Sequence, residues 1–530
     1  MELNKTQKKN IQNFVNQAKQ AGFLNWVKKL IKEFPKAKIY LVGGAVRDAL
    51  LQIETRDYDF VITGVPIKKL EKFLNPLGHV DWLNLVGRDF GIFKFTPKGF
   101  KGKIEPLDIG LPRTEHSGQN LGIYTDFKVK SDHKLPVEED LKRRDFTINA
   151  MAIDLTSDEL VIIDKFNGLE DLKNKIIRTV GKPKDRFQED YSRMLRAIRF
   201  ACQLDFELDD ETKKNIKRFI KNLNNKKDKS LIIPREILAE QFIKALLANP
   251  LRAFDLFDEL KVFDILIPEI KAMKGCKQPI NYHSEGDVWQ HTRLCMEILD
   301  SNLYKNQFKK PITINEEQKL YNSEVVLATL LHDIDKPTCS IWIEKKGKKR
   351  LQFYNHDVEG GKTAEDICQR LKLSAPNKVG VDCKNVNWLI ARHMLLIEGK
   401  IDKMRQTKVE KYLMSDRYPG ENLLKLSYVD AISTIPEKRK IPKKKPDLKN
   451  WISLKGFDIA LKRIKDIQKL SKDKKPVPKR LIDGNQVIKT LKIKSGKKVG
   501  TILDKVREEQ LNKKIQTKKQ AIEYIKKRFK

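Results

Sequence analysis

The chain has 530 residues, of which 40% are hydrophobic, and its formal net charge is +36 at pH 7. A chain of this length has room for about three or four domains with sizeable cores. It contains no run of about 18 apolar residues, which argues against a membrane-spanning helix, and its first residues lack the apolar core of a secretory signal. The six cysteines form no CxxC pair. This argues against a disulfide framework and structural zinc, and it fits the reducing cytoplasm, where we expect the protein to act.

The positive charge is concentrated at the C-terminal end of the chain. The segment 431–530 holds 32 Lys and Arg against 10 Asp and Glu. Such a concentration is typical of a polyanion-binding segment, so we expect a basic tail that binds nucleic acid. A lysine-rich composition throughout the chain is the alternative explanation, and the high lysine content elsewhere favours it in part.

The N-terminal part of the chain predicts a helical extension followed by a strand, a turn and a helix. Residues 1–36 carry apolar side chains at helical spacing. The short apolar run Ile39–Val42 predicts a buried strand. Gly43 and Gly44 then predict a tight turn, which lets a phosphate approach main-chain N–H groups, and Ala45–Leu51 predicts a helix.

The next segment, Asp57–Ile62, alternates polar and apolar residues with period two. On a strand this pattern puts Asp57 and Asp59 on one face. Two adjacent carboxylates repel each other unless a cation lies between them, and hard oxygen ligands suit Mg²⁺. The segment therefore predicts a magnesium site.

Two further strands are predicted downstream, over Arg88–Phe95 and Lys103–Ile109. Pro106 suggests that the second of them lies at a sheet edge, and Asp108 could supply a third carboxylate. The polar stretch Arg113–Pro136 lacks a clear period, which predicts a long functional loop.

Two charged motifs follow this loop. In EEDLKRRDFTINAMA, Arg143, Arg144 and Asp145 place two cations and a carboxylate at the entrance to an apolar stretch. From Asp164 onwards the pattern is helical. In QEDYSRMLRAIRFACQL, Asp190 and Arg193 are three residues apart, which predicts neighbours on one helix face. Taken alone, that pair would be an exposed ion pair.

Beyond these motifs, Ile232–Ile270 predicts a helical hairpin that is broken at Asn249–Pro250 and ended by Pro268. Five of the eight histidines lie between Tyr282 and Met394. One of them is followed directly by an aspartate at the end of an apolar helix. Imidazole and carboxylate together suit a divalent transition-metal ion. The candidate ligands are His291, His332, Asp333, His356, His393 and Asp430.

These motifs, in this order, resemble those of the tRNA nucleotidyltransferases (CCA-adding enzymes), which share a head domain with the poly(A) polymerases of the nucleotidyltransferase superfamily. The resemblance covers nearly the whole chain beyond the N-terminal helix. It implies an α+β fold with a catalytic β-sheet head (37–155), a helical neck and body (156–275), an α-helical HD domain (276–435) and a basic helical tail (436–530). It also implies template-independent addition of CCA, or part of it, to tRNA 3′ ends from CTP and ATP by two-metal nucleotidyl transfer.

The resemblance also implies roles for individual residues. Asp57 and Asp59 would hold two Mg²⁺ ions, and Asp108 would help to position the terminal 3′-hydroxyl. The RRDFTINAMA motif would handle the ribose and triphosphate of the incoming nucleotide, and Asp190 and Arg193 would hydrogen-bond its Watson–Crick edge. The implied nucleotide-binding residues are Gly43, Gly44, Arg47, Arg144, Asp145, Asn149, Glu189, Asp190, Arg193 and Arg196.

The histidine segment resembles the HD-domain metal-dependent phosphohydrolases. The resemblance implies that His291, His332, Asp333 and Asp430 are the core metal ligands, while His356 and His393 extend the site towards two metals. The chain departs from that family at Asp335, where a glycine is usual. A side chain there could crowd the site or add an acceptor, so hydrolytic activity is a separate expectation from the fold.

Two alternatives stay open. A poly(A) polymerase would share the GG, DxD and EDxxR motifs, although RRDFTINAMA and the HD domain favour the tRNA enzyme. An HD phosphohydrolase whose head only binds RNA is the other, and the intact Asp57 and Asp59 argue against it.

Overall fold

The computed structural model describes residues 5–20, 22–82, 92–99, 105–117, 127–157, 161–227, 229–310, 312, 320–345, 347–377, 379–397, 399–471 and 477–529. The chain forms two compact units. The first comprises residues 1–241 and 259–261, and the second comprises residues 242–258 and 262–530.

The first unit begins with an α+β region. Its helices are α1 (Lys5–Gln20), α2 (Asn25–Glu33), α3 (Gly44–Leu51), α4 (Ile67–Leu74) and α5 (Val137–Lys142). Its strands are β1 (Lys38–Val42), β2 (Asp59–Thr63), β3 (Gly78–Trp82), β4 (Ile92–Pro97), β5 (Leu107–Gly110), β6 (Arg113–Ser117), β7 (Phe127–Ser131), β8 (Ala152–Asp154) and β9 (Val161–Ile163).

Seven of these strands form one sheet in the order β3-β4-β5-β2-β1-β8-β9. Strands β2 and β5 pair in parallel, while the other neighbouring strands pair antiparallel. Phe60, Phe93 and Phe95 are fully buried against the helices on one face. Phe60, Val61 and Ile62 are all buried, so β2 is covered on both faces, and Asp59 lies at its first residue.

Two sequence expectations about this region are wrong. The strand that contains Asp108 lies between β4 and β2, not at an edge. Pro106 comes one residue before that strand, so its missing N–H removes no hydrogen bond from the sheet. The stretch expected to be a long loop contains the antiparallel pair β6–β7, and residues 118–126 between the two strands lie outside the described residues. Of the expected strand Arg88–Phe95, the part before Ile92 is also outside them.

The N-terminal extension consists of two helices that pack on the sheet region. Gly22 has a φ of +82° between them, in the left-handed region that favours glycine. The indole ring of Trp26 packs edge-on against Phe60, with ring centroids 5.4 Å apart. Asn10 donates a hydrogen bond to the carbonyl oxygen of Leu50 over 3.1 Å. The extension is therefore part of the same hydrophobic core.

The remainder of the first unit is mainly helical. It contains α6 (Gly168–Asn174), α7 (Pro183–Glu189), α8 (Ser192–Leu204), α9 (Asp210–Phe219) and the first part of α10 (Arg235–Ala248). Two short strand pairs were not predicted: β10 (Ile176–Ile177) with β11 (Glu207–Leu208), and β12 (Lys226–Lys227) with β13 (Ser230–Leu231).

The second unit contains α11 (Pro250–Glu259, except for its last residue), α12 (Val262–Leu266), α13 (Val288–Asp300), α14 (Asn302–Gln307), α15 (Ser323–Leu331), α16 (His356–Arg370), α17 (Cys383–Ile390), α18 (Gln406–Leu413), α19 (Gly420–Ser433), α20 (Lys455–Gln468), α21 (Gly484–Leu491), α22 (Lys497–Leu511) and α23 (Lys518–Phe529). Helix α15 is central, with Val325 to Leu331 fully buried, and it packs on α13, α17 and α19. A hairpin of β14 (Ser340–Lys345) and β15 (Lys348–Phe353) interrupts a region that was expected to be all helical.

The C-terminal tail is part of the second unit and contacts its other helices. Helices α21 to α23 bury a small apolar cluster that includes Val487, Ile502 and Ile525. The Glu508 carboxylate accepts hydrogen bonds from the first N–H groups of α18, at Gln406 and Thr407, over 2.9 and 2.8 Å. In the described part of the chain, no helix combines the length and the apolar character that crossing a membrane requires.

Candidate active site and candidate metal centre

Three carboxylates meet at one end of the parallel strand pair. The register of β2 and β5 places Asp59 directly beside Asp108, and Asp57 precedes β2 by two residues. One oxygen from each lies within 4.8 Å of the other two. The predicted group of three is therefore brought together, with oxygen donors of the type that Mg²⁺ prefers.

The electrostatics of this carboxylate group favour a bound cation. Burial raises the pKa of Asp59 to about 6, and Asp57 and Asp108 add to the rise, while Arg144 opposes it. The ammonium group of Lys94 lies 2.8 Å from an oxygen of Asp108. A divalent cation among the three carboxylates would relieve their repulsion.

The glycine turn gives Arg144 access to these carboxylates. Gly43 has φ +78° and ψ −141°, a conformation essentially confined to glycine. A Cβ atom at Gly43 would lie 2.4 Å from Nη1 of Arg144 and 3.2 Å from Oδ2 of Asp59. The guanidinium group therefore occupies the space that a side chain at this position would fill.

A buried aspartate fixes the two arginines of the RRDFTINAMA motif. Oδ1 of Asp140 accepts hydrogen bonds from Nε and Nη2 of Arg143 over 2.9 and 2.7 Å, and Oδ2 lies 3.3 Å from Nη2 of Arg144. Burial works to raise the pKa of Asp140, but Arg143 and Arg144 outweigh it and hold the pKa below its ordinary range. Sequence reasoning did not single out Asp140, although it lies four residues before Arg144.

The next residue of the motif joins the head to helix α8. Oδ2 of Asp145 accepts from Nε and Nη2 of Arg196 over 2.9 and 2.6 Å, and Oδ1 accepts from Nδ2 of Asn149 over 3.1 Å. Asn149 in turn accepts from Nη1 of Arg47 over 2.7 Å. Burial tends to raise the pKa of Asp145, but Arg196 prevails, so the pKa is lowered and the carboxylate stays charged. Four predicted nucleotide-binding residues thus form one network.

A group of arginines gathers around Phe200 beside this network. The guanidinium carbons of Arg47, Arg196 and Arg199 lie 5.1, 5.7 and 4.2 Å from the centre of the ring. Burial lowers the pKa of Arg199 to about 10, and the nearby Arg196 and Arg47 lower it further. Three cations so close together suit an anionic ligand such as a triphosphate.

The predicted pairing of Asp190 with Arg193 on one helix face is wrong. Asp190 is the residue after α7, with extended backbone angles, and α8 begins at Ser192. Arg193 donates instead to Glu189, with Nη1 2.6 Å from Oε2, while Asp190 accepts from the N–H of Ser192 over 2.8 Å. The helical path is therefore interrupted at Asp190, and the Asp190 carboxylate accepts from the first N–H of the next helix. Asp190 and Arg193 are both buried, so they are not an exposed surface pair.

The histidine cluster in the second unit brings four predicted ligands together. Nε2 of His291 lies 3.2 Å from Oδ1 of Asp430 and 3.9 Å from Oδ2 of Asp333. Nε2 of His332 lies 3.3 Å from Oδ2 of Asp333. His291, His332 and Asp333 are almost completely buried.

Asp333 also faces two further histidines with its other oxygen. Oδ1 lies 3.6 Å from Nε2 of His356 and 3.9 Å from Nε2 of His393. Burial lowers the pKa of His393 to about 4, with His356 and His332 adding to the effect, so the ring is neutral at pH 7. Asp333 is therefore placed to contact two adjacent ligand groups.

The backbone orients three of these imidazole rings. Nδ1 of His332, His356 and His393 lies 2.9, 2.8 and 2.7 Å from the carbonyl oxygen three residues earlier, at Thr329, Phe353 and Ile390 respectively. A carbonyl oxygen can only accept, so Nδ1 carries a proton in each ring, and Nε2 is the nitrogen that faces Asp333. A histidine that binds a metal through Nε2 usually donates a hydrogen bond from Nδ1 in this way.

Two charged residues at this cluster were missed from the sequence. Oε1 of Glu285 lies 2.7 Å from Nδ1 of His283 and 2.8 Å from Nδ1 of His291. Nζ of Lys336 lies 2.7 Å from Oδ2 of Asp333 and donates to Gln278 over 2.8 Å. The spacing of Glu285 from His291 carries no helical period, because Glu285 lies before the first turn of α13. Lys336 could have been noticed from its place one turn after Asp333.

Asp335, the departure from the HD pattern, is engaged by threonines. Its Oδ2 accepts from Oγ1 of Thr363 over 2.6 Å, and Oδ1 lies 3.4 Å from Oγ1 of Thr338. The carboxylate therefore has partners on α16 and in its own turn.

Comparisons with known proteins give two family matches in this chain. Residues 39–178 match the family model of the Poly A polymerase head domain, and residues 289–433 match that of the HD domain. Among solved structures, a CCA-adding enzyme with ATP is 20% identical, with a TM-score of 0.56 over 97% of this chain and 93% of that one.

Two further CCA-adding enzymes give similar values. The Bacillus stearothermophilus enzyme in complex with CTP is 20% identical, with a TM-score of 0.57 over 95% of this chain and 96% of that one. The Thermotoga maritima enzyme complexed with tRNA-CCA is also 20% identical, with a TM-score of 0.57 over 100% of both chains. At such identities the likeness is one of fold, and that fold is the nucleotidyltransferase head followed by a helical HD domain.

Proposed function

We propose that this chain, which joins a Poly A polymerase head domain to an HD domain in the fold of the CCA-adding enzymes, adds CCA or part of it to the 3′ ends of tRNA from CTP and ATP. The observation that carries the proposal is the placement of Asp57, Asp59 and Asp108 within one group, with Arg144 beside it. The complexes of the structural relatives with ATP, CTP and tRNA-CCA support the choice of substrates.

The three carboxylates fit divalent cations, because they offer several oxygen ligands and repel one another when no cation is bound. Asp57 and Asp59 would hold two Mg²⁺ ions, and Asp108 would help to position the terminal 3′-hydroxyl. When bound, Mg²⁺ supplies charge stabilisation to the attacking and leaving oxygens.

In the reaction, the 3′-hydroxyl oxygen forms a bond to the α-phosphorus of the nucleotide and the bond to the bridging oxygen breaks. The hydroxyl proton is lost and pyrophosphate leaves. Arg47, Arg144, Arg196 and Arg199 would attract the triphosphate. Asp140 keeps Arg144 in place, and Asp145 keeps Arg196 in place. No covalent intermediate with the protein is required.

Base selection would fall to Arg193 and Asp190. Glu189 holds one end of the Arg193 guanidinium group, which leaves a planar fork in a fixed orientation. Such a fork can donate to the ring acceptors of cytosine or adenine, and a carboxylate can accept from their exocyclic amino groups. GTP and UTP present different patterns at that edge.

The test is to incubate the purified chain and Mg²⁺ with tRNA that lacks its 3′ end, supply each NTP alone and in combination, and sequence the product ends. Asp59→Ala should abolish addition without unfolding the chain. Asp81→Ala is a matched control, since Asp81 lies on β3 of the same sheet with its side chain 66% exposed. Incorporation of AMP alone would indicate a poly(A) polymerase. Absence of any incorporation would indicate a head that only binds RNA.

A basic groove in the second unit supports tRNA as the partner. The groove encloses about 1120 Å³ between α18 and the C-terminal tail. Two acidic residues line it, Glu410 and Asp504, and Arg507 pairs with the first of them. The lining cations are Lys400, Lys403, Arg405, Lys408, Lys411, Arg417, Arg480 and Arg507.

Binding of a nucleic-acid backbone in this groove has a salt signature. Each phosphate contact that is lost should reduce the slope of log affinity against log salt by about 0.7 to 0.9. Replacing the exposed Lys403 and Lys408 with Gln should therefore weaken tRNA binding and flatten that slope, while CTP binding is unchanged. Lys214→Gln, at an exposed position in the first unit, is the control. Equal effects of both sets would show only a loss of overall charge.

A metal-dependent phosphohydrolase activity of the HD domain is a second proposal. It is favoured by the placement of Asp333 between His332 on one side and His356 on the other. Imidazoles and carboxylates together fit a divalent transition metal. His332→Ala and Asp333→Ala should remove bound metal and any phosphatase or cyclic phosphodiesterase activity, while nucleotide addition continues. If wild-type protein binds metal but hydrolyses nothing, Asp335→Gly tests whether that side chain blocks the reaction.

A further inference from the structure

A cysteine lies inside the histidine cluster and has no part in the function proposed so far. Cys295 is on α13, one turn after His291, and is completely buried. Its Sγ atom lies 3.5 Å from Nε2 of His291. One potential ligand atom from each of Cys295, His291 and His332 lies within 4.8 Å of the other two, so the three residues form a candidate metal-binding group.

The two imidazoles present their Nε2 atoms to this group for independent reasons. Nδ1 of His291 is engaged by Glu285, and Nδ1 of His332 by the carbonyl oxygen of Thr329. Within the described residues, Nε2 of His332 is buried and makes no hydrogen bond. A buried polar atom without a hydrogen bond costs free energy unless a ligand satisfies it.

The separations match the edges of a metal coordination polyhedron. A tetrahedral ion with bonds of about 2.0 to 2.3 Å separates its ligand atoms by roughly 3.3 to 3.8 Å. The distance from Sγ to His291 is 3.5 Å, and that from Oδ2 of Asp333 to His332 is 3.3 Å. His291 and Asp430 are 3.2 Å apart. The first and last of these separations are also within the range of hydrogen bonds, so a direct measurement of the metal–sulfur bond is needed to distinguish the two.

We propose that Cys295 is a thiolate ligand of the metal in the HD domain and that it selects Zn²⁺ over oxygen-preferring ions such as Mg²⁺ and Mn²⁺. The inference rests on the proposed metal site of the second unit. On binding, the Sγ–H bond breaks, the Sγ–metal bond forms and one proton goes to solvent, with no change in oxidation state. Thiolate and imidazole ligands favour Zn²⁺, whereas carboxylates and water suit Mg²⁺ and Mn²⁺.

The competing interpretation is that Cys295 is a small apolar residue whose thiol only donates weakly to His291. Buried cysteines commonly behave in that way. The two interpretations differ in one observable, the presence of a bond between sulfur and the metal.

Cobalt substitution measures that bond directly. Co²⁺ is added to the metal-free full-length chain, and the near-ultraviolet thiolate-to-cobalt charge-transfer band is recorded along with the visible d–d bands. Wild-type protein should show both. Cys295→Ser should lose the charge-transfer band and keep the d–d bands. The controls are Cys368→Ser, which alters another fully buried thiol on α16, and Cys276→Ser, which alters a partly buried one; both should keep the band.

Zinc affinity gives a second readout. Cys295→Ser should weaken Zn²⁺ binding by more than the roughly 10- to 100-fold that follows loss of a partner outside the ligand set, while Mn²⁺ binding stays nearly unchanged. Wild-type circular dichroism and an unchanged urea midpoint show that the variant is folded, and nucleotide addition, which depends on the first unit, should be undiminished.

Several outcomes would overturn the proposal. They are a wild-type cobalt complex without the charge-transfer band, a band that survives in Cys295→Ser, and an equal loss of Zn²⁺ and Mn²⁺ affinity. If Co²⁺ does not bind wild-type protein at all, and His332→Ala behaves identically, the metal site itself is wrong. That result differs from a site that binds Co²⁺ without sulfur.

Discussion

The two adjacent glycines of the turn should respond oppositely to the same substitution. Gly43→Ala places a side chain at φ +78° and ψ −141°, and residues forced into such regions cost about 1–3 kcal/mol. The new Cβ would also lie 2.4 Å from Nη1 of Arg144, so the guanidinium must leave its place beside Asp59. Gly44→Ala meets nothing nearer than 3.4 Å, at the flexible end of Arg47, and falls at the first residue of α3. There alanine is neutral or favourable by up to about 1 kcal/mol.

Hydrogen exchange of the β1 and α3 amides, followed by mass spectrometry, reports this local stability. A loss of about 1–3 kcal/mol corresponds to exchange roughly 5- to 150-fold faster. Gly43→Ala should show that acceleration and slow nucleotide addition, because Arg144 is displaced. Gly44→Ala should exchange at the wild-type rate or more slowly. Wild-type exchange in Gly43→Ala, or equal damage in both variants, would refute the role assigned to this turn.

Three other predictions concern the same unit. Arg193→Ala should reduce the preference for CTP and ATP over GTP and UTP by about one to two decades, since a good bidentate base contact carries roughly 1–3 kcal/mol of discrimination. Addition rates with each of the four NTPs measure this preference, and unchanged selectivity would exclude a base-reading role. Arg196→Ala should lower the free energy of unfolding by about 3 kcal/mol, which is the low end for a broken buried pair because the Arg196 side chain is 36% exposed. Urea denaturation measures this loss. The loss should be smaller below about pH 4, where Asp145 of the variant, without Arg196, can be protonated. The pKa of Asp59 is raised to about 6, so its protonated form favours folding. In EDTA, its contribution to stability should therefore be lost as pH rises from about 4 to 6. If the urea midpoints of wild type and Asp59→Asn run parallel across that range, the pKa is not raised.

Local sequence patterns predicted much of the head and of the histidine cluster. Period-two alternation predicted that Asp57 and Asp59 lie close together, because that property depends on neighbouring residues of one segment. The position of β5 between two strands depends instead on pairing with β2 and β4, which no local pattern contains. Pro106 suggested an edge strand, but it lies one residue before β5 and therefore says nothing about the position of the strand in the sheet.

The error at Asp190 has a different cause. The run from Gln188 to Leu204 has a helical period, yet the backbone leaves the helix at Asp190, and its carboxylate accepts from Ser192. Partners that are remote in sequence were also hidden, as with Asp145 and Arg196, which are 51 residues apart. The sequence motifs indicated each of these residues separately, and the contact between them is visible only in the fold.

The hydrogen bonds of the four histidines that surround Asp333 differ in how replaceable they are. For His332, His356 and His393 the acceptor is a main-chain carbonyl, which every amino acid supplies, so substitutions at Thr329, Phe353 or Ile390 leave it in place. His291 alone relies on a side chain, that of Glu285. A single-base change in the codon for Glu285 can therefore release one imidazole while the other three keep their orientation. Substitution of Glu285 would therefore change the orientation of one candidate ligand alone.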